Sequence, residues 1–169
     1  TVRAQGYDIV TMDEACRRLA MPGNEQPFAC FTFDDAACDI ATTAYPVLRH
    51  HKCPFAVYVA TAYADGQGNA WWLVLEDIVR RSARVEVMID GQLRRFATRS
   101  VEEKDAAYDE IYWSLRREDQ RRQRARVLDL AARSNIDVTE ICRGKFIGWD
   151  DLRQLAADPL VTIGAHRGG

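Results

Sequence analysis

The sequence predicts an α/β fold with parallel strands, and three observations carry that expectation. The run Phe28-Ala29-Cys30-Phe31-Thr32-Phe33 is nearly continuous in apolar residues and ends on Asp34 and Asp35. That is the pattern of a parallel strand covered on both faces. A second apolar run, Leu160-Val161-Thr162-Ile163-Gly164-Ala165, ends on His166. Helix signals lie between the two, as parallel strands joined by crossovers require. Parallel α/β enzymes place their chemistry at the carboxyl ends of strands. The spacing therefore predicts that Asp34, Asp35 and His166 gather on one rim.

Taken in order, Gly6-Tyr7-Asp8-Ile9-Val10 is a short extended segment. Thr11 with Glu14 forms a T-x-x-E capping box that opens a helix from Met12 to Ala20. Met21-Pro22-Gly23-Asn24 is a loop. Pro46 fits the first turn of a helix running to about His51, and Pro54 starts a buried strand to Ala60. Ala62 to Ala70 reads as a glycine-containing loop, and Leu73 to Arg81 presents a helical apolar face. Val85 to Ile89 alternates, Asp90-Gly91 is a hairpin turn signal, and Leu93 to Phe96 returns. Ser100 with Glu103 caps a helix to about Arg117, and a further helix runs from about Asp119 to Ser134. Residues 71–148 thus read as a mostly helical insertion with a β-hairpin, inside a single domain that spans 1–169.

Composition sets outer bounds. The chain of 169 residues is 47% hydrophobic, enough for one core, and carries a formal charge of −2. Nothing in that balance points to nucleic acid or an anionic membrane. No apolar stretch approaches the roughly 20 residues a membrane span needs. The five cysteines (16, 30, 38, 53 and 142) are odd in number and lack C-x-x-C spacing. They read as reduced thiols in a reducing, cytoplasmic compartment. The first residue is Thr1, so the alternative of a leader peptide lost before it stays open beside this reading.

Two adjacent acids at a strand end point in different directions, so one can ligate a metal while its neighbour stays free as a base. The bland alternative is that they cap the next turn. His166 has the same alternative. His50 and His51 sit at a predicted helix C-terminus beside Lys52, where cations suit the dipole, and read as structural. Trp71-Trp72 offers faces for sugar rings, although a core place for one of them is the simpler reading. The stretch Arg116, Arg117, Arg121, Arg122, Arg124 and Arg126 is interleaved with Glu118, Asp119 and Asp129 and reads as a solvated helix face.

These segments also resemble a family. Thr32-Phe33-Asp34-Asp35 resembles the T-F-D-D-G motif of the polysaccharide deacetylases, the NodB-like carbohydrate esterases. Gly164-Ala165-His166 resembles the start of their second motif, G-A-H-[ST]-x-x-H. Ala44 to Leu48, Pro54 to Ala60 and Trp149-Asp150-Asp151-Leu152-Arg153 resemble the intervening helix, the second strand and a W-D-E-L segment. The resemblance implies a partial NodB-like deformed (β/α) barrel. It implies a metal-dependent hydrolase that removes N-acetyl or O-acetyl groups from a polysaccharide or oligosaccharide. By the same resemblance Asp34 is the general base, while Asp35 and His166 ligate a divalent metal, most simply zinc.

The sequence departs from the family in three places. The second motif histidine would fall at position 170, beyond Gly169, and the general acid has no counterpart. The motif glycine is replaced by Ala36, which is expected to take its place only with a negative φ. The tail Arg167-Gly168-Gly169 does not resemble the family's continuation. The chain is therefore expected to be an incomplete domain with weak zinc binding and impaired turnover. An open strand edge makes a homo-oligomer the expected state. Two alternatives stand beside the enzyme: a catalytically inactive fragment that binds carbohydrate or a partner, and a magnesium phosphotransfer domain. The latter ranks last, because none of Lys52, Lys104 and Lys145 sits clearly at a strand end.

Overall fold

The elements follow from local signals in chain order. The computed structural model describes residues 1–21, 23, 26–68 and 70–166, with no account of the Cys142 side chain. After a 3₁₀ turn at Arg3–Gln5 come β1 (Asp8–Ile9), α1 (Met12–Ala20), β2 (Phe28–Ala29) and β3 (Phe31–Asp34). Then follow α2 (Tyr45–His50), β4 (Phe55–Val59), α3 (Thr61–Ala64) and α4 (Trp71–Arg81). The hairpin β5 (Arg84–Ile89) and β6 (Gln92–Ala97) precedes α5 (Val101–Arg116), α6 (Gln120–Arg133) and α7 (Val138–Cys142). The last elements are α8 (Trp149–Ala156) and β7 (Val161–Ala165). The tail 167–169 and part of the loop read at 21–24 lie outside the described residues. No helix among the described residues is long and apolar enough to cross a membrane.

The chain divides into two compact units, one of residues 1–68 with the stretch from 144 onward, the other of residues 69–143. In the first, β3, β4 and β7 form a parallel sheet in that order, with β4 central. The register pairs Asp34 with Tyr58 and Gly164 with the same Tyr58. Among the described residues this sheet is open, and β1 and β2 form a separate parallel pair. The apolar run at 28–33 is therefore two strands with different partners, broken at Cys30. Only β4 is covered almost throughout; Thr32 and Asp34 of β3 are exposed, so the expectation of a strand buried on both faces does not hold there. The reason is position: β3 is an edge strand, and apolar composition does not distinguish edge from centre. Ala36, Ile40, Phe55, Val57, Val59, Ile147, Leu152, Leu155 and Val161 form the core against this sheet.

Two local features depart from the sequence reading. Thr11 caps α1 by accepting from the Glu14 N–H at 3.2 Å, but Glu14 does not return the bond. Its carboxylate is taken by Arg17 and Arg18 at 2.6–2.7 Å, and these guanidiniums hold it down at about 2. Before α2, helical backbone already runs from Cys38 and passes through a π-helical turn at Ile40–Ala44. The Tyr45 N–H there donates to the Ile40 carbonyl, five residues back. Pro46 has no N–H, and its ring would press on the carbonyl four residues earlier; the widened turn absorbs it.

In the second unit, Asp90 and Gly91 both take positive φ (49° and 77°), as a two-residue hairpin turn of primed type needs. Ser100 and Glu103 make the full reciprocal capping box. Val74, Leu75, Ile78, Val87, Ile111, Leu115 and Val127 form its core. Trp71 belongs to that core, stacked on Tyr112 at 4.9 Å.

Candidate functional site

The parallel register brings the ends of β3 and β7 to the same edge of β4. The ladder continues one residue past β7, where the His166 N–H donates to the Val59 carbonyl at 2.9 Å. The imidazole then lies between the two acids: Nε2 is 4.0 Å from Asp34 Oδ2 and Nδ1 is 3.7 Å from Asp35 Oδ1. Both separations exceed hydrogen-bond length. The Asp34 side chain is 68% exposed, while those of Asp35 and His166 are 30% and 35% exposed. His50 and His51 pack edge to face 4.9 Å apart at the end of α2, which leads into the start of β4, away from this rim.

A tight turn aims the acids. Asp35 (φ 63°) and Ala36 (φ 55°) are consecutive left-handed residues. This corrects the expectation that Ala36 fits only with a negative φ. Aspartate tolerates that region, whereas alanine must be held in it. Ala36 is 1% exposed, its carbonyl accepts from the Ile147 N–H at 2.8 Å, and Ala37 bridges to Phe146. The segment 145–147 thus clamps the turn, over-determining a conformation that alanine alone would not choose.

The electrostatics differ across the pair. Burial pushes the Asp35 carboxyl above its ordinary value; nearby His166 opposes the rise, and Asp34 adds to it. His166 Nδ1 is buried without a hydrogen-bond partner. An orphaned nitrogen facing a desolvated carboxylate oxygen suits a cation between them, with Nδ1 and Asp35 Oδ1 as donors. Among the described residues no group of three or more His, Cys, Asp and Glu side chains is placed to hold a metal ion. Asp35 Oδ1 and His166 Nδ1 are thus two donors facing each other, without a third among the described residues.

Sequence reasoning missed the surroundings of this rim. Tyr63 on α3 stacks on Phe146 with ring centroids 4.1 Å apart. The Trp149 Nε1–H donates to Asp65 Oδ1 at 2.7 Å. These pairs are far apart in sequence, and no local signal announces them. The motif glycine Gly164 packs directly under the Tyr58 ring, where an added Cβ would lie 2.7 Å from two ring carbons. Elsewhere, a cavity of about 400 Å³ in the second unit is lined by Val87, Met88, Gly91, Ala125, Arg126 and Asp129, among others. Its Arg126 pairs with Glu118 and its Asp129 with Arg133, so its charges are already engaged. Within the arginine-rich stretch, Arg126 pairs with Glu118 and Arg122 with Asp119.

No protein-family model matches the chain, and no curated protein matches it in sequence. Among solved structures it is similar to the BpsB deacetylase domain from Bordetella bronchiseptica, at 16% sequence identity and a TM-score of 0.45. The match covers 98% of this chain and 40% of that one, so the chain spans less than half of that protein's length.

Proposed function

We propose that the chain carries a deacetylase-type hydrolytic site, which removes N-acetyl or O-acetyl groups from a polysaccharide or oligosaccharide with a divalent metal. The observation that supports this most is the convergence of Asp34, Asp35 and His166 at one end of the parallel sheet, with the buried His166 Nδ1 left unpartnered opposite Asp35. Asp35 and His166 are the residues that would hold the cation, and a mixed oxygen and nitrogen donor set suits zinc. Bound there, the cation supplies polarisation of the acyl carbonyl and acidifies water.

The chain's own residues then divide the work. Asp34, the more exposed acid, is free to accept a proton from water at Oδ2 as general base. Asp35, half-withdrawn from solvent, keeps its carboxylate turned to the imidazole. The Asp35–Ala36 turn and the 145–147 clamp fix the angle between the two carboxylates, which is the positioning such chemistry needs.

Acetate release from acetylated chito-oligosaccharide, with zinc titration by calorimetry, tests the reading. Release is expected to be slow and zinc binding weak; Asp34→Asn is expected to stop that release and leave the zinc binding unchanged, and equal release by the variant would overturn the assignment. A second reading, a non-catalytic module that binds carbohydrate or a partner, draws on the lack of a third donor among the described residues. It requires oligosaccharide binding with no zinc-dependent release.

A further inference from the structure

Trp149 is an anomaly of the same rim. It opens α8 and is 42% exposed, yet its indole is not loose: the ring N–H is fixed on Asp65. Asp65 directly follows α3, the helix that leaves the carboxyl end of β4, between the strands that deliver Asp34 and His166. On its other side Trp149 follows the 145–147 segment, whose backbone is bonded to residues 36–38 just beyond Asp35. Chain connectivity therefore places the indole at the end of the sheet where the strands deliver the acid pair.

The neighbours reinforce this. Tyr63 lies flat on Phe146, with 8° between the rings, and covers Gly68, where a Cβ would meet its ring at 1.6 Å. That stack braces α3 against the 145–147 segment and so holds Asp65 and Trp149 in register. The result is a large aromatic face, pre-oriented and open to solvent, with a carboxylate at its edge. Such a pairing matches a pyranose: the indole meets the apolar C–H face, and the carboxylate, which accepts beyond one bond, meets ring hydroxyls. A ring already fixed loses little freedom on binding.

We propose that Trp149 and Asp65 form a sugar-ring subsite beside Asp34 and Asp35. This rests on the deacetylase reading for the identity of the polymer, and the experiment separates the two. Acetylated chitohexaose is titrated into the full chain in an Asp34→Asn background, and binding is followed by calorimetry. Trp149→Ala is expected to raise Kd about tenfold or more, Trp149→Phe about threefold, and Asp65→Ala severalfold. Asp65→Asn, which retains an acceptor for the indole N–H, has the smaller effect. In the chain with Asp34 restored, Trp149→Ala is expected to raise KM with kcat nearly unchanged. Should Trp149→Ala fail to fold by circular dichroism, Trp149→Phe and Asp65→Ala decide. A Kd within twofold of the parent in the folded variants, or no binding by the parent, overturns the subsite. If Kd responds as expected but Asp34→Asn leaves acetate release intact, the subsite stands and the deacetylase reading falls.

Discussion

Restoring glycine at position 36 weighs the backbone of the acid turn. Ala36 holds φ 55° directly after Asp35 at φ 63°. An L-residue in the left-handed region costs roughly 1–2 kcal/mol, so Ala36→Gly recovers about that much. Against it stand the buried methyl, worth about 0.8 kcal/mol, and the added freedom of glycine in the unfolded chain, about 0.4–1 kcal/mol. The opposing effects are of similar size, and Ala36→Gly is expected to change stability by less than about 1 kcal/mol. Ala15, also buried but inside α1, is the control. There Ala15→Gly recovers nothing, loses a comparable methyl and adds a helix-interior penalty of about 1 kcal/mol, for a cost near 2 kcal/mol. Ala36→Val goes the other way, because a β-branched residue at positive φ is strongly disfavoured. Urea unfolding gives the stabilities, and hydrogen exchange at the Ile147 amide, which bonds the Ala36 carbonyl, reports on the turn itself. An Ala36→Gly cost equal to that of Ala15→Gly would refute the left-handed conformation and the clamping argument with it.

Gly164→Ala is expected to cost about 1–3 kcal/mol in thermal or urea unfolding, because its methyl would drive into the Tyr58 ring. Tyr58→Ala in the same chain should relieve most of that penalty, leaving the two changes non-additive. Among the described residues Asp35 and His166 offer two donors where catalytic sites use three, so zinc binding by calorimetry is expected to be weak, and His166→Ala should remove it. Asp35 contributes a pH dependence of defined sign. Its carboxyl is raised in the folded chain, so the stability it contributes is full below the ordinary aspartate value and is lost as pH rises through the folded value. Stability measured across that acid window should fall less steeply with pH in Asp35→Asn; an unchanged slope would remove burial as the cause.

The features legible in the sequence are those set by short-range pattern. The hairpin at 84–97 followed from Asp-Gly between alternating strands, and α5 followed from a capping box that the structure closes in both directions. The convergence of Asp34, Asp35 and His166 was legible too, for a topological reason. Parallel strands joined by crossovers must end on one side, whatever the side chains between them do. What stayed hidden was set by partners distant in the chain. Nothing in Phe28–Phe33 marks a break at Cys30, because the break arises from Ile9 pairing with Ala29 while Phe31 pairs with Phe55. Glu14 has the spacing of a capping box, yet Arg17 and Arg18, charged donors one turn away, outcompete a single backbone N–H.

Ala36 shows how such distant partners reach the site. By local preference alone its φ would be negative, and the two carboxylates would then leave β3 along a different path. The bonds from Ile147 and the bridge to Phe146 impose the left-handed turn instead. The same short segment carries Phe146, which stacks on Tyr63, and leads into Trp149, which is tied to Asp65. One stretch of backbone therefore fixes the acid turn on one side and the aromatic face on the other. A substitution that loosens it, such as Phe146→Ala with its lost stacking partner, should disturb both together. The expected signature is a fall in protection at the Ile147 amide coupled to a weaker response of sugar binding to Trp149 substitution. Loss of one without the other would show that the acid turn and the aromatic face are held independently.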